Sequence, residues 1–293
     1  MSRSPSPLPQ RVSGRAFRVE EVPEVSSARL RAGDLWIPAQ GVRLPTQFTD
    51  LESICQAILL TMPPSAAFSH ETAARLLALP LPRRLIAPGR VHVTTPTGVR
   101  ARRGRRIVGH ERSLPADAVE VLRGVPVTTP ARTFCDLAGA LTLAELVALG
   151  DAAARMCGSE ALRRAAEAVP RGRGPAKLGR AIELVDPGAE SPKESELRVL
   201  LVEEGFGTLE TNFELFDDEG RFVARVDLAL TALRIAIEYE GDHHRDKEQW
   251  RRDLARRRRI EALGWVYIPV TQADLDDPRR LLADVRAAIA RRR

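Results

Sequence analysis

The sequence predicts a mixed α/β chain. A mixed sheet flanked by helices is expected at the C-terminal end, preceded by a mainly helical region with a winged-helix-like start. Three observations carry this. Residues 191–292 read in the order α-β-β-β-α-β-α. Gly/Pro-rich stretches, "VPRGRGPAKLGR" (169–180) and "VDPGAESPKESE" (185–196), punctuate the chain ahead of that pattern. Further upstream, two short helical patterns are followed by strand-like "RVHVTTP" (90–96) and "GVPVTTP" (124–130).

Taken in order, residues 1–15 lack an apolar core and read as a flexible tail. In "DLESICQAILLTM" (50–62), Leu51, Ile54, Ile58 and Leu59 fall at helical spacing. Ser69 is placed to cap a helix in "SHETAARLLAL" (69–79). Residues 142–156 and 159–169 read as helices. The two Gly/Pro stretches read as a linker region, so the expected domains are 16–187 and 188–293. "SPKESELRVLLVEEG" (191–205) opens with Ser191, Pro192 and Glu194, a capping box with proline in the first turn. A strand-like start at 206, a turn at Asp217–Gly220 and a strand to Leu230 follow. "RIAIEYEG" (234–241) is the next strand, 246–263 a helix, "GWVYIPV" (264–270) a strand ending near Pro269, and 277–292 a last helix.

Composition narrows the function classes. The chain is 44% hydrophobic and 29% charged, the profile of a soluble globular protein. No run of eighteen apolar residues occurs, and the N-terminus does not resemble a secretory signal. Cys55, Cys135 and Cys157 are far apart and form no C-x-x-C, which predicts a reduced, cytoplasmic protein without a membrane partner. Charge is uneven. Residues 1–185 hold 26 Lys/Arg against 16 Asp/Glu, a net +10, whereas 186–293 hold 19 against 23, a net −4. The first part is therefore the better electrostatic match for nucleic acid.

The chemistry concentrates in "RVDLALTALRIAIEYEGDHHR" (225–245). Strand alternation groups Ile235, Ile237 and Tyr239 on one face and Ala236, Glu238 and Glu240 on the other. Likewise Val226, Leu228 and Leu230 are expected to face the core, and Asp227 to face away. A tight turn at Ala232-Leu233 places Asp227 opposite Glu238. Like charges opposite each other destabilise a sheet, so the three acids need a compensating cation. A lone acid on a strand is ordinarily a solvated outer residue; the joint pattern with His243 and His244 is what points to a site. All-oxygen ligands suit Mg²⁺ or Mn²⁺, which would polarise a phosphoryl oxygen and activate water. Glu196, on the preceding helix, offers a further acid. Two histidines without a nearby cysteine argue against structural zinc.

With "VDLAL", "IEYEGDHHR", "RRDLARRRRIEALGW" and the closing strand, residues 191–293 resemble the PD-(D/E)XK nuclease superfamily. Within it they are similar to the branch of the very-short-patch repair endonucleases. The resemblance implies a restriction-endonuclease-like fold and metal-dependent hydrolysis of DNA phosphodiesters. Asp227 then matches the Asp of the motif, preceded here by Val226 where the family has proline, and Glu238 matches the second acid. Glu240 stands where many members have lysine. It would serve as a metal ligand, with His243 or His244 as general base or acid. Asp253 reads equally as a partner orienting a histidine and as part of a solvated helix face. Arg251, Arg252 and Arg256 would contact phosphates, with DNA the expected partner and RNA less so. Trp250 and Trp265 read as core residues.

The stretch 50–155, through "VHVTTP" and "GVPVTTPARTFCDLA", resembles the AbiEi-type antitoxin and transcriptional-regulator family, which implies a DNA-binding start. Two functions follow from these likenesses: a metal-dependent endonuclease with a DNA-binding region, or a non-catalytic DNA-binding regulator carrying an inactive nuclease fold.

Overall fold

A computed structural model describes residues 5–87, 89–101, 103–104, 106–169, 175–241 and 247–293, and the chain divides into two units, Met1–Leu137 and Ala138–Arg293. The first unit runs β1 (Phe17–Arg18), β2 (Leu35–Trp36), β3 (Val42–Pro45), α1 (Leu51–Leu59), β4 (Ala67–Phe68), α2 (His70–Leu76), β5 (Val91–Thr95), β6 (Ile107–Glu111), β7 (Val119–Leu122), β8 (Val125–Thr128) and α3 (Pro130–Leu137). Its strands form an antiparallel three-stranded sheet, β1-β3-β2, and a five-stranded sheet, β6-β5-β4-β8-β7. In the larger sheet β5–β6 and β4–β8 pair in parallel. β7 and β8 form a hairpin across Arg123-Gly124, both at positive φ (49° and 79°), the geometry of a type I′ turn.

Asp50 starts α1: its carboxylate accepts a hydrogen bond from the Ser53 amide at 2.9 Å. Ile54 and Ile58 on that helix pack with Phe68, Val91 and Val93. Ser69 does stand at the start of α2, but its hydroxyl does not cap the helix; it accepts instead from Thr94 Oγ1 at 2.7 Å. The opening segment is more ordered than a tail, because Val12 is fully buried with Phe17, Val22 and Leu30, and Leu8 packs against them.

The second unit runs α4 (Leu143–Cys157), α5 (Ser159–Glu167), α6 (Pro175–Leu184), α7 (Pro192–Glu203), β9 (Glu210–Phe216), β10 (Phe222–Leu230), β11 (Ile235–Tyr239), α8 (Lys247–Ala262), β12 (Val266–Val270), α9 (Gln272–Asp276) and α10 (Arg279–Ala290). From α7 onward this is the expected order, with the short α9 added. The sheet order is β12-β11-β10-β9, antiparallel except that β12 returns parallel to β11 after crossing through α8. Both faces are covered. Leu228, Leu230, Ile235 and Ile237 pack with Leu197 and Leu201 of α7 and Leu282 and Val285 of α10. Ala229 and Ala236 pack with Ile260 of α8. Val226 joins this second cluster, not the one holding Leu228 as alternation predicts.

The expected domain boundary near 188 falls inside this unit, and its residues are tied down. Asp151 of α4 accepts from the Asp186 amide (2.7 Å), Ser195 Oγ (2.6 Å) and Arg198 Nη2 (2.7 Å). Asp186 in turn accepts from the Gly188 amide and from Thr211 Oγ1 on β9. A β-carbon at Gly188 would stand 2.6 Å from Thr211 Oγ1, so the turn is packed closely enough to need glycine.

Candidate acidic cleft

The β10–β11 hairpin sets the register of the site. Leu228 pairs with Ile237, Ala229 with Ala236 and Leu230 with Ile235, so one further step places Asp227 beside Glu238 as the turn predicts. The turn, Thr231–Leu233, is a short 3-10 segment closed by Arg234 in the left-handed region at φ 50°. A cleft of about 690 Å³ opens there, lined by Asp227, Glu238, Tyr239, Glu240 and Gly241 from the sheet. Ser191 and Lys193 line it from the start of α7, and Asp253, Arg256 and Tyr267 complete it.

The acids are held by the chain's own donors. Asp227 Oδ2 accepts from the Tyr239 amide at 2.8 Å. Glu238, only 6% exposed, is gripped at both oxygens by the Arg256 guanidinium; the Nη1–Oε2 distance is 2.5 Å, and Nη2 bonds Oε1 and also the Arg225 carbonyl. The fork geometry is the strong, bidentate form of the pair. The compensating cation that the clustered acids require is thus Arg256. Both Glu238 oxygens are engaged by Arg256, and among the described residues the three acids do not form a three-ligand set. Burial pushes the Asp227 carboxyl up to about 7, opposed by the Tyr239 hydrogen bond and reinforced by the carboxylates of Glu194 and Glu238. Glu240 receives the Tyr267 hydroxyl at 3.4 Å, and burial, followed by Glu238, pushes that phenol up.

The other predicted residues fall as follows. Glu196 is half-exposed and paired with Lys193 at 2.7 Å, and it does not line the cleft. The α7 acid close to Asp227 is Glu194, which sequence reasoning used only as a capping residue. Its amide does bond the Ser191 hydroxyl (3.2 Å). Its carboxylate, however, accepts from the Glu190 amide at 2.8 Å, so the reciprocal half of the capping box is not made. The signal that would have found it is helix phase: Glu194 and Arg198 are four residues apart, and both are buried. A lysine does reach the cleft, as Lys193 from α7. Arg251 and Arg252 are exposed on α8. Arg256, assigned to phosphate contact, is instead committed to Glu238. His243 and His244 lie outside the described residues. Trp265 packs against Phe213, with ring centroids 5.7 Å apart, a core position as predicted; nothing is described of the Trp250 side chain.

The second unit thus presents a cleft of acids on a mixed sheet, with an internal arginine bound to one of them. Comparison with known proteins adds a likeness elsewhere in the chain. Residues 65–186 match the family model of the AbiEi antitoxin C-terminal domain. Two Mycobacterium tuberculosis proteins, "Uncharacterized protein MT2308" of strain CDC 1551 / Oshkosh and "Uncharacterized protein Rv2248" of strain ATCC 25618 / H37Rv, are similar. Each is 29% identical over 204 residues, which is 69% of this chain and 73% of theirs. No solved structure matches. The AbiEi-type likeness read from 50–155 is therefore met by a family match, whereas the nuclease likeness rests on residues 191–293 alone. No helix among the described residues is long and apolar enough to cross a membrane.

Proposed function

We propose that the chain is a DNA-binding regulator of the AbiEi-antitoxin kind whose acidic cleft does not cleave DNA. The match of residues 65–186 to the AbiEi antitoxin C-terminal domain carries this reading. The Arg256–Glu238 pair supports it, because an internal cation satisfies the acid that a catalytic metal would need. The net +10 of residues 1–185 and the exposed arginines of α8 supply attraction for phosphate.

The test pairs two assays on the full chain. A duplex mobility shift, run with Mg²⁺ and with chelator, is expected to give equal binding in both. Nicking of supercoiled plasmid in Mg²⁺ or Mn²⁺ is expected to be nil. Metal-dependent nicking that disappears in both Asp227→Ala and Glu238→Ala would overturn the reading in favour of the endonuclease. The convergence of Asp227, Glu238, Glu240 and Lys193 on one cleft is what keeps that second function worth assaying.

A further inference from the structure

Three histidines that are remote in sequence meet in the first unit. His70 is the first residue of α2, His92 lies on β5 and His110 on β6. They are 22 and 18 residues apart, so no local spacing announces them. His110 pairs in register with Thr94, two residues beyond His92 on the same strand. One ring nitrogen from each lies within 4.8 Å of the others. His92 Nδ1 is 3.0 Å from His110 Nε2, and the His70 and His110 rings stack at 3.7 Å between centroids.

Buried histidines are most often satisfied core residues, and three features set this group apart. First, imidazole nitrogens face one another instead of fixed carbonyls or amides. Second, Glu71 joins them. Its Oε2 is buried and lies 2.8 Å from His92 Nδ1 without the alignment of a hydrogen bond. A buried carboxylate oxygen left so is costly unless something else binds there. Third, His70 holds φ at +50°, a strained backbone for a non-glycine residue that orients its ring into the cluster.

The surroundings are those of a ligand set. Ser69 Oγ lies 3.0 Å from His70 Nδ1 and is itself fixed by Thr94, which leaves His70 Nε2 as the free nitrogen. The His92 backbone is pinned to α2 from both sides: its amide donates to Thr72 Oγ1 (2.8 Å) and its carbonyl accepts from the Ser69 amide (3.0 Å). A hydroxyl on the second ring nitrogen, as Ser69 provides for His70, is the kind of outer partner that orients a metal-bound imidazole. Neighbouring nitrogens in a tetrahedral zinc site stand about 3.3 Å apart, given zinc–nitrogen bonds of about 2.0–2.1 Å. The His92 Nδ1–His110 Nε2 separation of 3.0 Å is close to that value, and the third nitrogen lies within 4.8 Å of both.

We propose that His70, His92 and His110, with Glu71 beside them, bind one divalent transition-metal ion of the zinc class. Imidazole donors with a single carboxylate and no thiolate suit Zn²⁺ and its Co²⁺ surrogate better than Mg²⁺ or Ca²⁺. The site lies wholly in the first unit, within the residues that match the AbiEi antitoxin domain, and shares no residue with the acidic cleft.

The experiment uses the full chain, stripped with chelator, loaded with Zn²⁺, exhaustively dialysed and assayed for metal. One zinc per chain is expected. At least a tenfold loss is expected in His92→Ala and in His110→Ala, a weaker loss in Glu71→Gln, and none in the His243→Ala/His244→Ala double variant. Co²⁺ on the unmodified chain provides a readout that needs no variant, and the intense visible absorption of tetrahedral Co²⁺, abolished by Zn²⁺, is expected. Zinc absent from the wild-type chain, zinc retained by the His92→Ala/His110→Ala pair, or a weak octahedral Co²⁺ spectrum would each overturn the assignment.

Discussion

Replacing Arg256 by methionine tests how the cleft balances its charges. The substitution keeps much of the apolar stem and removes the guanidinium from both Glu238 oxygens and from the Arg225 carbonyl. Glu238 is left buried without its cation. Deleting one partner of a fully buried pair costs about 3–5 kcal/mol. The Glu238 side chain is 8% exposed but that of Arg256 is 32% exposed, so water offsets part of the loss. About 2–3 kcal/mol is the expected cost. For a unit of this size that corresponds to roughly 5–10 °C in Tm, read by calorimetry. Adding Glu238→Gln removes the stranded charge, and the double variant is expected to recover more than half of the loss. Wild-type stability in Arg256→Met, or a double variant no better than the single, would refute the claim that this arginine is the cleft's counter-ion.

Three further outcomes can be checked. Asp227 has a folded pKa near 7, well above its usual range, so the native state binds its proton more tightly than the unfolded chain. Its contribution to stability is therefore full below about pH 4, falls as pH rises to about 7, and is flat above, with an upper bound of about 4 kcal/mol. Urea titrations should show Asp227→Asn gaining on wild type across that window; parallel curves would contradict the assignment. Asp151→Ala should cost about 3–5 kcal/mol by stranding the Arg198 guanidinium, whereas Asp151→Asn should cost less, both measured by urea unfolding. Removing Arg251 and Arg252 together should lower the slope of log K against log salt in DNA binding by up to about 2, and an unchanged slope would take α8 out of the interface.

The second unit was legible where local physics decides the outcome. Apolar runs, the Ser191-Pro192 start and the tight turn together anticipate the order of elements and the placing of Asp227 beside Glu238. The turn contains no glycine or asparagine, yet Arg234 takes the left-handed position, because the paired strands on either side hold it there. What escaped the sequence depends on long-range geometry. The partner of Glu238 lies 18 residues away on a helix whose charges resemble an ordinary solvated face. The choice between Glu194 and Glu196 turns on helix phase relative to a sheet not yet placed. Residues 185–190 have a linker's composition, and only the folded chain reveals that Asp186 and Gly188 are fastened to α4 and β9. The three histidines come together through a five-stranded sheet whose β4–β8 and β5–β6 pairings are non-local.

The fastening of residues 185–190 bears on how this protein can be cut. A fragment beginning at 188 would look like a natural module by composition. It would nonetheless retain Arg198, 5% exposed, while discarding Asp151, its acid partner, along with the helix against which α7 packs. Such a piece would carry an interior positive charge with nothing to neutralise it, and poor solubility would follow from the cut itself. A fragment beginning at 138 takes the acid and the arginine together, which makes it the dissection to attempt when the cleft is studied alone.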